Sequence, residues 1–318
     1  MRKTPASTRL DGIRDRACPE TVAIPLALCS TSVWLAFMSD HKLLYFLAGL
    51  ALGLSLALGP AVVKRLAAWL NGPDRVMVYR SIDGHDLHLH VFEAKGPRPA
   101  AGHPALLLFH GGAWQYGSPD AFFPQCRHFA QHGLTCVSAE YRIASRHGTD
   151  PRAAVQDARA AFAYLRDHAE GLGIDPIRIA VGGGSSGGHL AAMLGVAIPA
   201  TDRPAALVLY NPMLDLSPGK PDHHLVAAYW QSVSPLQQVD AAVPPGLILL
   251  GTEDREVSVA TAQAFCDGVS VRGGRCELAL YEGARHGFFN LREDDRQYFD
   301  ATNRRVGAFL VALGWLRE

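Results

Sequence analysis

Residues 183–188 read Gly183-Gly184-Ser185-Ser186-Gly187-Gly188. An apolar run, 177–181, precedes them and a helix-like run, 189–197, follows. A strand that turns at once into a helix, with glycine two residues on either side of a serine, is the nucleophile elbow pattern. The turn holds its serine in a strained conformation, and a side chain at either flanking glycine would strike the neighbouring strand or helix. The hydroxyl is thereby lifted clear of the sheet, where a histidine can reach it. Two registers satisfy the pattern, Gly183-x-Ser185-x-Gly187 and Gly184-x-Ser186-x-Gly188. A phosphate loop would end in Lys-Ser/Thr, whereas this run passes into His189-Leu190.

Strand-like and helix-like segments alternate around the elbow. Residues 76–80 and 87–92 flank Asp83-Gly84 and read as a hairpin. Short continuous apolar runs at 105–109 and 135–139 suit strands covered on both faces. A helix is predicted over 153–168, where Val155, Ala158, Phe162 and Leu165 recur on one face. Strands are expected at 207–210, 247–250 and 277–281, and a last helix at about 295–313. The pattern predicts an α/β domain over 74–318, with a mostly parallel twisted sheet and helices on both faces. The loop 211–245 is long enough to need a purpose, and a wall over the site is the expectation.

The 318 residues carry 30 basic and 30 acidic side chains, so no global field favours nucleic acid. Apolar residues crowd the N-terminus in two uncharged runs, 21–39 and 43–63, each about 20 residues and so long enough to cross a bilayer as a helix. A signal peptide or a soluble cap fits them less well than a membrane hairpin. The first run exceeds a signal peptide's apolar core, and the second offers only Tyr45 and Ser55 as polar breaks. A basic tail, 1–20, precedes a transmembrane hairpin over 21–65, and Lys64 and Arg65 close it. Basic flanks on both outer sides place them, and the domain that follows, in the cytoplasm. Six cysteines form no Cys-x-x-Cys pair and no zinc-like cluster, and are expected as buried free thiols in a reducing compartment. Neither a metal nor an organic cofactor is implied.

His110-Gly111-Gly112-Ala113-Trp114 follows the 105–109 strand directly. Ester cleavage passes through an oxyanion, and a glycine-rich turn lets backbone N–H groups converge on it. The base and its orienting acid should follow the serine in the chain. Asp254 follows the 247–250 strand and His286 the 277–281 strand, so both stand at the sheet end that carries the elbow. His286 is the expected base and Asp254 the acid, with Glu253, Glu256 and Asp215 as rival carboxylates. His110 precedes the serine, His189 opens the elbow helix, and His223 and His224 fall in the long loop.

Together these motifs resemble the hormone-sensitive-lipase-like carboxylesterases of the α/β-hydrolase fold. The His-Gly-Gly turn, the Gly-x-Ser-x-Gly-Gly-His-Leu-Ala elbow, Gly251-Thr252-Glu253-Asp254 and His286-Gly287-Phe288 carry the likeness. Tyr141-Arg142, Asp157 and Asp175-Pro176 extend it, over about 106–313. The resemblance implies Ser185 as nucleophile, Asp254 and His286 as partners, and the N–H groups of Gly112, Ala113 and Ser186 as oxyanion donors. It implies a serine carboxylic-ester hydrolase acting on short-chain or acetyl-type esters through an acyl-enzyme. Two positions depart from the family: Ala113 stands where a third glycine is usual, and Gly184 where an acidic residue is common. Trp114, Tyr116, Phe288 and Phe289 are candidate pocket walls, with Trp114 and Phe288 foremost. Competing readings are an arylformamidase-like amide hydrolase, whose turn also resembles His-Gly-Gly-x-Trp, and a non-catalytic hydrolase-fold receptor or scaffold.

Overall fold

In the computed structural model the described residues are 72–292 and 294–317, and the expected basic tail and apolar hairpin lie outside them. The first described elements are β1 (Arg75–Ile82) and β2 (His85–Phe92), the hairpin expected around Asp83-Gly84. Both turn residues have positive φ, 53° and 78°, which suits the twist of a two-residue hairpin. Six further strands follow: β3 (His103–Phe109), β4 (Thr135–Ala139), β5 (Ile174–Gly184), β6 (Ala206–Tyr210), β7 (Gly246–Gly251) and β8 (Cys276–Tyr281). The order across the sheet is β1-β2-β4-β3-β5-β6-β7-β8. The β1–β2 and β2–β4 pairs are antiparallel, and every pair from β4 onward is parallel.

Helices cover both faces, and the strands sort their side chains accordingly. Leu107, Phe109, Leu207, Leu209 and Ile248 pack under α2 (Pro151–Asp167), α3 (Ser186–Val196) and α4 (Val259–Ser270). Leu106, Leu108, Val208, Tyr210 and Leu249 face α1 (Phe123–Gln131) and α5 (Gln297–Ala312). Alternate residues of one strand thus serve opposite cores, which is why the central strands read as unbroken apolar runs. Helix α2 starts where Asp150 accepts the N–H of Arg152 and Pro151 takes the first position. Its fully buried Asp157 is held by Arg142 at 2.9 Å and Arg80 at 2.7 Å, tying the hairpin and the β4 end to α2.

Two expectations change. Cys126 pairs with Cys136 and Cys266 with Cys276, so four of the expected free thiols are disulfides. Each bond joins a helix, α1 or α4, to the strand that follows it, with Cα atoms 4.8 and 5.0 Å apart. Packing a helix beside its own next strand brings the two cysteines together. Paired cysteines of this kind do not point to a reducing compartment. Helices α1 and α4 were not expected from the sequence pattern. Among the described residues no helix is long and apolar enough to cross a membrane.

Candidate active site

Strand β5 ends at Gly184 and α3 begins at Ser186, leaving Ser185 alone in the turn with φ 55° and ψ −118°. Its N–H donates to the carbonyl of Tyr210 at the end of β6 (3.0 Å), and its own carbonyl accepts from His189 (2.9 Å). A Cβ at Gly187 would lie 2.0 Å from the carbonyl oxygen of Phe109, and one at Gly183 would lie 2.5 Å from the Gly187 backbone. Glycine is therefore required two residues either side of Ser185. Of the two registers open in the sequence, the backbone adopts the one centred on Ser185. Ser186 is fully buried as the first residue of α3.

The loops after β7 and β8 bring Asp254 and His286 to the same end of the sheet. His286 Nε2 lies 2.9 Å from Ser185 Oγ, and Nδ1 lies 2.8 Å from Asp254 Oδ2. With the proton on Nδ1 directed at the carboxylate, Nε2 is free to accept from the serine hydroxyl. The Asp254 side chain is buried, and its Oδ1 also accepts the N–H groups of Glu256 and Val257, each at 2.9 Å. Burial acts to raise its pKa, but the His286 bond and the two backbone donors outweigh that, and the carboxyl is held below its ordinary value. Of the rival carboxylates, Glu256 lines the cavity beside Ser185 without bonding to His286, and the other two are paired with cations. Asp215 faces Lys220 at 3.6 Å, and exposed Glu253 faces Arg285 at 3.7 Å.

The turn after β3 carries three successive positive φ angles: Gly112 127°, Ala113 51° and Trp114 59°. A Cβ on Gly112 would sit 2.2 Å from the carbonyl oxygen of Tyr116, so that position demands glycine. The N–H groups of Gly112, Ala113 and Ser186 have no acceptor among the described residues. Buried His110 stacks on Tyr141 (4.3 Å between centroids), and the Tyr141 hydroxyl donates to the His110 carbonyl at 2.8 Å, fixing the base of the turn. Burial pushes the His110 imidazole down to about 4, so it is neutral and structural at ordinary pH. His189, fully buried with Nε2 2.6 Å from the Val233 carbonyl, is likewise pushed down to about 4.

Ser185 opens into a cavity of about 620 Å³ lined by Gly112, Ala113, Tyr116, Phe122, Asn211 and Phe289, among others. The long loop supplies Met213 and Asp222 to its wall, as expected of it. Trp114 and Phe288 are not part of that lining, which corrects the expectation for both. The positive φ of Trp114 sends its ring into the core, edge-on to His189 at 4.9 Å. Phe288 turns the other way from Phe289 and packs on Tyr281 and Tyr298. Phe289 instead stacks on Phe122 beside Gly184, where a Cβ would come within 2.5 Å of its ring. The common acidic residue before the nucleophile is thus replaced by glycine because an aromatic ring occupies its space. Sequence reasoning also missed Asn211, which stands directly after β6 with φ 35°. Its place at a strand end beside the elbow was the available signal.

A family model described as alpha/beta hydrolase fold matches residues 106–290, more than half of the chain. The chain belongs to the hormone-sensitive-lipase-like family of α/β hydrolases. Among solved members of this hydrolase fold, Thermogutta terrifontis esterase 2 with propionate bound is 36% identical, with a TM-score of 0.71. That match covers 77% of this chain and 96% of the other. The same esterase phosphoramylated by tabun superposes equally well. A Pseudomonas putida ethyl acetate hydrolase is 36% identical over 143 residues, 44% of each chain. The carboxylesterase NlhH of Mycobacterium tuberculosis is 26% identical over 247 residues, 66% of this hydrolase-family chain and 74% of NlhH. The chain spans between about a quarter and less than half of the length of the first curated relatives it matches.

Proposed function

We propose that this α/β hydrolase cleaves short-chain or acetyl-type carboxylic esters through an acyl-enzyme on Ser185. The observation that carries the reading is the hydrogen-bonded line Ser185–His286–Asp254, at 2.9 and 2.8 Å, beside the unpartnered N–H groups of Gly112, Ala113 and Ser186. Ser185 Oγ attacks the carbonyl carbon while its proton passes to His286 Nε2. The carbonyl oxygen gains the negative charge and takes the backbone donors. The bond to the alcohol oxygen then breaks as that oxygen receives the Nε2 proton. Water attacks the acyl carbon next, giving a proton to Nε2, and the acid leaves as the bond to Ser185 Oγ breaks and that oxygen takes the Nε2 proton. Asp254, already ionised, stabilises the imidazolium formed in each half.

A short acyl group is supported by the stacked Phe122 and Phe289 rings, 5.6 Å apart, which wall the cavity beside Ser185. It is supported too by propionate and butyrate in the related Thermogutta esterase. Nitrophenyl acetate, butyrate and octanoate turnover by Ser185→Ala and Ser186→Ala variants tests both residue and chain length. Ser185→Ala should lose roughly 10³-fold or more in kcat, and Ser186→Ala should keep most activity because only its backbone N–H is used. The reverse ranking would overturn the assignment. The runs 21–39 and 43–63 are proposed as a membrane anchor on their uncharged length, which carbonate washing of membranes holding the full chain checks. The two disulfides favour an oxidising compartment for the domain over the cytoplasm that the basic flanks suggest.

A further inference from the structure

Asn211 is pinned between the nucleophile and the base. Its N–H donates to Leu249 at 2.8 Å, and the carbonyl just before it, on Tyr210, receives the N–H of Ser185 at 3.0 Å. The residue is fully buried and holds φ 35° although it precedes Pro212. Residues before proline favour extended backbone, and positive φ is uncommon for any residue but glycine, asparagine and aspartate. Such an outlier at a site calls for an explanation in what its side chain does.

The side chain reaches the loop of the base. Asn211 Oδ1 accepts the N–H of Gly287 at 3.1 Å, and Asn290 Nδ2 donates to the Gly287 carbonyl at 2.9 Å. The residue after His286 is therefore clamped on both sides. The bond from Gly287 also settles the orientation of the Asn211 amide, because a flipped amide would set NH₂ against an N–H. Nδ2 consequently points to His286 Nε2, 3.4 Å away, at the wall of the cavity. That distance is long for a hydrogen bond, and Nε2 already has Ser185 Oγ at 2.9 Å. The amide N–H is thus a donor with a poor partner, aimed at the space where Nε2 exchanges its proton.

We propose that Asn211 Nδ2 donates a hydrogen bond to the oxygen that exchanges a proton with His286 Nε2. In acylation that oxygen belongs to the departing alcohol; in deacylation it is the attacking water. The two occupy one place, since deacylation is acylation run backward with water in the alcohol's role. As the bond between acyl carbon and alcohol oxygen breaks, negative charge gathers on that oxygen until the Nε2 proton arrives. A donor there stabilises the charge, much as the oxyanion donors do on the other side of the carbon. The same amide disfavours a proton resting on Nε2, because two N–H groups would then face each other. It therefore biases transfer toward the leaving oxygen. Asn211 is a catalytic residue in this scheme, and its bond to Gly287 gives it a separate positioning task.

The proposal rests on the ester-hydrolase reading, and leaving-group dependence separates the two. Nitrophenolate departs without help, whereas an alkoxide needs its charge stabilised. The full-length protein and its Asn211→Gly and Asn211→Asp variants are assayed on ethyl acetate and 4-nitrophenyl acetate, which share an acyl group. Glycine accepts the positive φ and removes the side chain; aspartate keeps the acceptor for Gly287 and removes the donor. Both variants should lose roughly 10- to 100-fold in kcat/KM on ethyl acetate and less than about 3-fold on the nitrophenyl ester. Because slowed deacylation then limits turnover, a nitrophenolate burst should appear in both. Asn211→Asp should also move the acid limb of the kcat/KM profile to higher pH, since a carboxylate beside Nε2 favours the imidazolium. Equal losses on both esters would mean only that His286 is misplaced, and no loss on either would mean the donor is idle; each overturns the proposal. Wild-type protein inactive on both esters would instead sink the ester-hydrolase reading.

Discussion

At the elbow one residue, Ser185, carries a positive φ of 55°, and glycines flank it on both sides. At the turn after β3 three residues in a row do so, and only the first of them is glycine. The elbow is held by the absence of side chains: β5, α3 and the end of β3 approach so closely that nothing but hydrogen fits at Gly183 and Gly187. The β3 turn shares one such position, Gly112, and is otherwise held by their presence. His110 stacks on Tyr141, Tyr141 bonds the His110 carbonyl, and the Trp114 ring is driven into the core. Strain enforced by close backbone approach leaves a glycine pattern in the sequence, whereas strain enforced by packing does not.

The comparison breaks most severely at Gly187. A methyl there would meet carbonyl oxygens of Phe109 and His110 at 2.0 and 2.4 Å, backbone atoms of the strand end and of the other turn. Gly187→Ala should therefore disrupt both regions together and cost more than about 4 kcal/mol, a range reached only by a few mechanisms. Soluble yield and the urea midpoint measure it. A fully stable variant would show that the approach of α3 to β3 is not what holds the elbow.

A smaller effect comes from protons. His110 belongs to the turn and His189 to the elbow helix, and burial pushes each from 6.5 down to about 4. Unfolded, both bind a proton near pH 6.5; folded, neither does until about pH 4. The unfolded state thus holds more protons across that window, and stability falls as pH drops from about 6.5 toward about 4. Each contributes on the order of 3 kcal/mol by the foot of the window. Glu140, held at about 2 with its His88 and His90 partners, titrates lower. Burial also lowers His128 and His147, so in a urea series down to about pH 4.5 the contributions of His110 and His189 are isolated by substitution. Replacing either histidine with glutamine should flatten the fall by one proton, and an unchanged slope would mean that residue is hydrated in the folded state.

How much was legible follows from the same contrast. The hairpin, the parallel strands, α2 and the elbow were readable because period, glycine placement and caps mark them. Helix α4 was not, since its β-branched residues and Gly268 are poor helix formers, and it rests on Phe265, Val269 and the Cys266 disulfide. Ser185, Asp254 and His286 were legible as strand-end residues in the required order. The pocket walls were not: whether Trp114 faces cavity or core depends on the sign of its φ, which composition does not reveal. Phe288 and Phe289 are adjacent aromatics, and only the fold decides which of them meets Phe122.

The mildest test isolates strain from packing. Ala113 and Trp114 have nearly equal φ, 51° and 59°, yet Trp114 is buried in the core, so replacing it removes packing along with strain. Ala113 lines the cavity and carries only a methyl group. In the left-handed region a Cβ costs about 1–2 kcal/mol, while glycine gives back about 0.5–1 kcal/mol through the freer unfolded chain. Ala113→Gly should therefore stabilise by about 0–1.5 kcal/mol, with kcat/KM within about 3-fold because the N–H is kept. A gain read by thermal melting would mean the turn is strained at Ala113 and that Tyr141, His110 and Trp114 hold it against that strain. A loss greater than about 1 kcal/mol would mean the turn depends on alanine's restricted backbone for its shape. The β3 turn would then need a particular residue at Ala113 as well as at Gly112, and its contrast with the elbow would reduce to which residues each requires.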